Sequence, residues 1–112
     1  MYRAFRTERY ERELKKLGLY QRRVISHFEQ KLKRDPFLSK PLGYFFFREK
    51  KYDDKRILFL VYEEYKVILF VALTNKKEQQ KDIDTILEDL ESYKEEMKRK
   101  LNLSNSSMTE IL

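Results

Sequence analysis

Between Tyr44 and Thr74 the chain is very apolar, broken by a dense knot of charge from Arg48 to Arg56. Three strands are expected, roughly Tyr44–Tyr52, Lys55–Glu63 and Lys66–Thr74, with Asp53-Asp54 and Glu64-Tyr65 between them. So short a connection joins only antiparallel neighbours, because a parallel crossover needs roughly a dozen residues or more. Neither pair contains the Gly or Asn that tight hairpins favour, but the spacing fits a meander.

The flanks read as helices around one further strand. Tyr2 to Arg6 alternates and predicts a short first strand. Thr7 is an N-cap followed by Glu8, and Tyr10, Leu14 and Leu17 give that helix one apolar face, with Gly18 placed to end it. Val24, Ile25, Phe28 and Leu32 mark a second helix, stopped at Asp35-Pro36. The turn between the two is short, so they form an antiparallel hairpin. From about Glu78 to Leu101, Ile83, Ile86, Leu87, Leu90, Tyr93, Met97 and Leu101 recur at helical spacing. The expected class is α+β: an antiparallel twisted sheet in the order β-α-α-β-β-β-α, helices on one face and a long C-terminal helix. One domain over 1–101 and a flexible polar tail over 102–112 are expected.

Two-residue loops fix a register. Tyr52 faces Lys55, Lys51 faces Arg56, Glu63 faces Lys66 and Arg56 faces Leu73. Directly opposed residues share a face. One face carries Phe47, Glu49, Lys51, Arg56, Leu58, Leu60, Val71 and Leu73. The other carries Arg48, Lys50, Tyr52, Ile57, Phe59, Phe70 and Ala72. Both are apolar at the strand centres and cationic at one end. Arg48, Lys50, Lys51, Lys55, Arg56, Lys76 and Lys77 gather there. Like charges on adjacent strands repel, so folding alone gains nothing from this, and Glu49, Asp53 and Asp54 only soften it. A solvated, edge-protecting rim is the plain alternative.

The net charge of +6 on 112 residues suits a polyanion or an acidic protein partner. There is no cysteine, which excludes disulfides and thiolate metal sites. The single histidine, His27, leaves no histidine set for a metal, so no metal and no cofactor are expected. His27 itself reads as structural or exposed. The charged start (Arg3, Arg6, Glu8) does not resemble a signal peptide. No apolar run approaches the ~20 residues of a membrane helix, so no membrane contact and a cytoplasmic location are expected.

The ordered set "ERELKKL", Asp35-Pro36, Lys40-Pro41-Leu42, "FREKKYDDKRILF" and "NKKEQQKDI" resembles the RelE/ParE toxin superfamily of toxin–antitoxin systems, closest to its RelE and HigB branches. The match runs from about Tyr2 to Asp84. It implies a metal-independent endoribonuclease that cuts messenger RNA on the ribosome, restrained by a cognate antitoxin. It implies Arg56 as the catalytic arginine and Lys76 in the place of a second one. Arg48, Lys50 and Lys51 fall in the strand that supplies substrate-binding cations, with Lys55 and Lys77 beside them in the cationic end. The chain lacks the family's tyrosine after the last strand, and that strand is followed by lysine, not arginine. A ParE-like topoisomerase poison or a catalytically inactive binding module is the alternative.

Cleavage by the RNA 2′-hydroxyl needs alignment, stabilisation of charge on the phosphoryl oxygens, and proton transfer. Arginine and lysine serve the first two, and a guanidinium can hold two phosphate oxygens. Lys51, Lys76 or Lys77, crowded by cations, or Glu49, are the candidates for proton transfer. Phe45-Phe46-Phe47 reads as core in preference to a base-stacking platform. The last helix has an apolar stripe longer than a four-stranded sheet covers. Tyr93, Met97 and Leu101 are therefore candidates for contact with a second subunit (a homodimer) or the antitoxin, the alternative being that the helix folds back on its own hairpin.

Overall fold

The structure, a computed structural model, describes residues 1–102 and 110–112. Its elements are β1 (Arg3–Arg6), α1 (Glu8–Lys15), α2 (Leu19–Arg34), β2 (Lys40–Tyr44), β3 (Phe47–Tyr52), β4 (Lys55–Tyr62), β5 (Val67–Asn75), α3 (Gln79–Glu88), α4 (Leu90–Asn102) and β6 (Glu110–Ile111). The described strands form one sheet in the order β2-β3-β4-β5-β1-β6. The α+β class and the β3-β4-β5 meander are as the sequence predicts. Thr7 caps α1 by accepting a bond from the Tyr10 amide at 3.1 Å. Gly18 does not end α1, which stops at Lys15, but is the N-cap of α2.

Four features depart from expectation. First, the run from Tyr44 to Tyr52 is not one strand. It folds back at Phe45-Phe46, so β2 pairs antiparallel with β3. Gly43, at φ 84, supplies the left-handed residue beside that turn, and Arg48 donates to the Phe45 carbonyl at 2.9 Å. Phe47 is buried, whereas Phe45 and Phe46 are exposed on the turn. Second, β1 lies parallel to β5, so the sheet is mixed. Third, β5 bulges. Leu58 pairs with Ala72 but Phe59 pairs with Phe70, which leaves Val71 as the extra residue. Beyond the bulge Arg56 faces Thr74, not Leu73.

Fourth, helices cover both faces, not one. Tyr10, Leu14, Ile25 and Leu32 of the helical hairpin pack on Ile57, Phe59, Ile68, Phe70 and Leu73. Ile86 and Met97 pack on Phe5, Phe47, Leu58, Leu60, Leu69 and Ala72 across the sheet. The expected single last helix breaks at Asp89, between α3 and α4. The bend keeps its stripe on the sheet: Met97 is fully buried, and Tyr93 and Leu101 pack partly buried against the same cluster. The buried strand residues beneath it come from β1, β3, β4 and β5. Of the expected tail, Glu110–Ile111 is paired with β1, while 103–109 lie outside the described residues. No described helix is long and apolar enough to cross a membrane.

Candidate nucleic-acid interface

The β3-β4 turn positions the cationic end. Tyr52 pairs with Lys55 and Lys51 with Arg56, as the two-residue loop requires. Asp53 takes φ 53, a left-handed value that Asp tolerates better than most residues. The Lys76 amide donates to the Asp54 carbonyl at 3.2 Å, which ties the exit of β5 to this turn. Lys51, Lys76 and Lys77 are exposed there. Lys55, half-buried, lies opposite Asn75 and 3.8 Å from the Asp54 carboxylate.

Arg56 is at the centre of this end but is not free. Its Nε lies 3.1 Å from Glu49 Oε1, and both side chains are buried. Its Nη1 donates to the carbonyls of Asp53 at 3.2 Å and Lys55 at 3.0 Å. The other carboxylate oxygen, Glu49 Oε2, is buried without a hydrogen-bond partner. A buried carboxylate is tolerable only when paired, so the guanidinium is the group that keeps Glu49 inside. Glu49 is thus committed to Arg56 in this state, as is part of the guanidinium.

Arg48 and Lys50 do not join that end. Arg48 sits at the strand centre, opposite Phe59, and is buried. Its guanidinium donates to Ser39 Oγ at 2.8 Å, to the Ser39 carbonyl at 2.7 Å and to the Phe45 carbonyl, and stands over the Phe37 and Phe45 rings. These contacts hold the 37–39 loop to the β2-β3 hairpin. Lys50 reaches over the Phe28 ring of α2, 5.1 Å from its centroid. His27 is exposed on α2.

Sequence reasoning missed a polar bridge beside Arg56. The bulge turns Thr74 toward α3, where its hydroxyl donates to the Asp82 carboxylate. Arg9 of α1 then bridges Asp82 at 2.8 Å and Glu13 at 3.2 Å. Glu13 also accepts the Leu73 amide at 2.9 Å, just past the bulge. The only sequence signal was the i,i+4 spacing of Arg9 and Glu13; the rest depends on the bulge. A cavity of about 230 Å³ opens beside this bridge, lined by Glu13, Lys16, Leu17, Lys55, Leu73, Thr74 and Asn75. Glu49, Glu13 and Asp82 are thus engaged by arginine, Asp53, Asp54 and Glu78 are exposed, and so are Lys51, Lys76 and Lys77. Among the described residues no cluster of His, Asp or Glu is set to hold a metal ion.

No protein-family model matches the sequence, and no curated protein matches it. The fold does match solved structures. The isolated Escherichia coli RelE toxin superposes with a TM-score of 0.61 at 18% identity, over 77% of this chain and 99% of that one. A chain of the intact E. coli RelBE toxin–antitoxin complex gives 0.60 at 20% identity, over 67% and 96%. A chain of the archaeal RelE–RelB complex from Pyrococcus horikoshii OT3 gives 0.55 at 20%, over 67% and 94%. The fold is RelE-like.

Proposed function

We propose that this chain is the toxin of a toxin–antitoxin pair and a ribosome-dependent endoribonuclease that cuts messenger RNA. One observation carries the reading. On a RelE-like fold, Lys51, Lys76 and Lys77 stand exposed around Arg56 at one end of the sheet. The lysines would hold the RNA backbone, with Lys55 beside them. Arg56 and Lys76 would stabilise the charge that develops on the phosphoryl oxygens as the 2′-hydroxyl attacks. For this, a phosphate must share or take the guanidinium that Glu49 now holds. Arg48 supports the scaffold in this reading and does not touch RNA. Lys50, stacked on Phe28, is at most a peripheral contact. The place of action would be the cytoplasm, where ribosomes are, and the restraining partner an antitoxin, as in the RelE–RelB complexes.

A second reading has its own support: a non-enzymatic binding module, ParE-like or inactive. The Glu49–Arg56 pair occupies the candidate catalytic arginine, and no tyrosine stands between Lys76 and Ser92. Induction of the chain in bacterial cells, with message integrity followed by northern blot, separates the two. Growth arrest with shortened messages supports the nuclease. Arrest with intact messages supports the binding module, and no arrest rejects both.

A further inference from the structure

A groove of about 350 Å³ opens at the end of the sheet opposite Arg56. It lies between the tip of the β2-β3 hairpin, the β4-β5 turn and the start of α4. Each of these is held in place. The Val61 amide donates to the Phe46 carbonyl at 2.8 Å, which ties the hairpin tip to β4. In the β4-β5 turn the Tyr65 and Lys66 amides donate to the Tyr62 and Glu63 carbonyls, both at 3.1 Å. Leu90, at the head of α4, packs against the cluster that contains Met97.

The lining combines two chemistries. Phe46, Tyr62 and Tyr65 supply aromatic surface, Glu63 and Glu64 supply carboxylates from the turn, and Glu91 supplies one from α4. All three glutamates are exposed, and Glu63 accepts the Tyr2 hydroxyl at 3.1 Å through Oε1 alone. Lys94 is the one cation among the described lining residues. A chain that carries +6 overall thus sets three carboxylates against one ammonium here. Neighbouring carboxylates repel, so folding alone gains nothing from gathering them beside open aromatic surface. The Tyr62 phenol is pushed up, by burial first and then by Glu96, Tyr93 and Glu91, so the negative field reaches the floor of the groove. The wall also attracts ammonium groups: Lys98 Nζ stands over the Tyr65 ring, 5.9 Å from its centroid.

Aromatic faces hold an organic cation through the ring quadrupole, and small-molecule pockets begin at about 300 Å³. We propose that this groove is a binding site for a linear alkyl polyamine. Its methylenes would lie on Phe46, Tyr62 and Tyr65, and its ammonium groups would meet the glutamates of the turn and of α4. A small inorganic cation keeps its water and leaves the aromatic floor unused. Tyr62 pairs with Val67 at the far end of β5 from Asn75 and Lys76, so the site does not depend on the RNA reading.

The test titrates spermidine into the isotopically labelled full chain and follows the amide signals by NMR. Saturable shifts are expected at Phe46, at residues 63–65 and at Glu91. Glu63→Gln/Glu64→Gln, which keeps the hydrogen-bond acceptors, is expected to weaken binding about tenfold. Tyr65→Leu is expected to weaken it about threefold. Lys94→Met removes the competing ammonium and is expected to tighten binding about threefold, whereas Lys31→Met, the same charge change across the sheet on α2, is expected to leave it in place. An unchanged spectrum outside the groove shows that each variant is folded. Shifts that rise without saturating, equal displacement by magnesium at matched ionic strength, or equal effects of Lys94→Met and Lys31→Met overturn the proposal.

Discussion

Glu49 and Arg56 form a buried ion pair, 3.1 Å from Oε1 to Nε, on neighbouring strands and beneath the exposed lysines of the cationic end. The pair makes the candidate catalytic arginine part of the core. Removing one member strands the other's charge, at a cost of about 3–5 kcal/mol. Arg56→Ala is therefore expected to lower stability in urea unfolding by that order, and Glu49→Gln by less, since the amide still accepts a hydrogen bond from Arg56. Loss of activity in Arg56→Ala alone is then no evidence of catalysis. The informative comparison is the double variant Glu49→Gln/Arg56→Ala, which is expected to recover stability but not activity.

Arg48 ties the β2-β3 hairpin to the 37–39 loop. Arg48→Ala leaves the carbonyls of Ser39 and Phe45 without their donor and removes the cation that lies against the stacked Phe37 and Phe45 rings. A loss of about 1–3 kcal/mol is expected, measured by urea unfolding. RNA affinity per folded molecule is expected to hold, as gel shift on the folded fraction would show.

The outward lysines are expected to behave in the opposite way. Alanine at Lys51, Lys76 and Lys77 should leave the melting temperature in place while weakening RNA binding. The slope of log affinity against log salt should fall by roughly 0.7 for each single-strand phosphate contact removed. An unchanged slope would show that these lysines do not touch phosphate. Lys50→Ala, which takes the ammonium off Phe28, should change the slope less.

The tail contact carries a pH signature. Hydrogen bonding to Arg3 holds the Glu110 carboxyl below its usual 4.5. A carboxylate depressed in the folded state stabilises that state above its unfolded value, and the effect is lost as pH falls through the folded value. The methyl signals of Ile111 are thus expected to move toward free-chain positions only below about pH 4.5. In Arg3→Gln the midpoint should rise toward that ordinary value.

The strongly patterned parts of the fold were readable in the sequence. The two-residue spacing at Asp53-Asp54 fixed Lys51 opposite Arg56, and Thr7 announced the start of α1. The remainder depended on contacts between residues far apart. Nothing in Phe45-Phe46-Phe47 signals a turn, because the chain reversal there is held by Arg48 gripping the Phe45 and Ser39 carbonyls. The bulge at Val71 left no local mark either, yet it swings Thr74 to Asp82 and sends Leu73 to the other face. The two-residue spacing also put Lys51, Lys76 and Lys77 at one end of the sheet, where all three are exposed. It did not tell an outward lysine from Arg48, because burial of a cation depends on acceptors elsewhere in the chain.

The central claim is that the cationic end handles messenger RNA on the ribosome. Its most direct test maps new RNA 5′ ends by primer extension in a translating extract, with the wild type and with the Lys51→Ala/Lys76→Ala/Lys77→Ala variant. Ribosome-dependent cuts by the wild type, lost in a variant that melts at the same temperature, are the predicted result. Translation arrest with no new 5′ ends, or unchanged cutting by the variant, would contradict it.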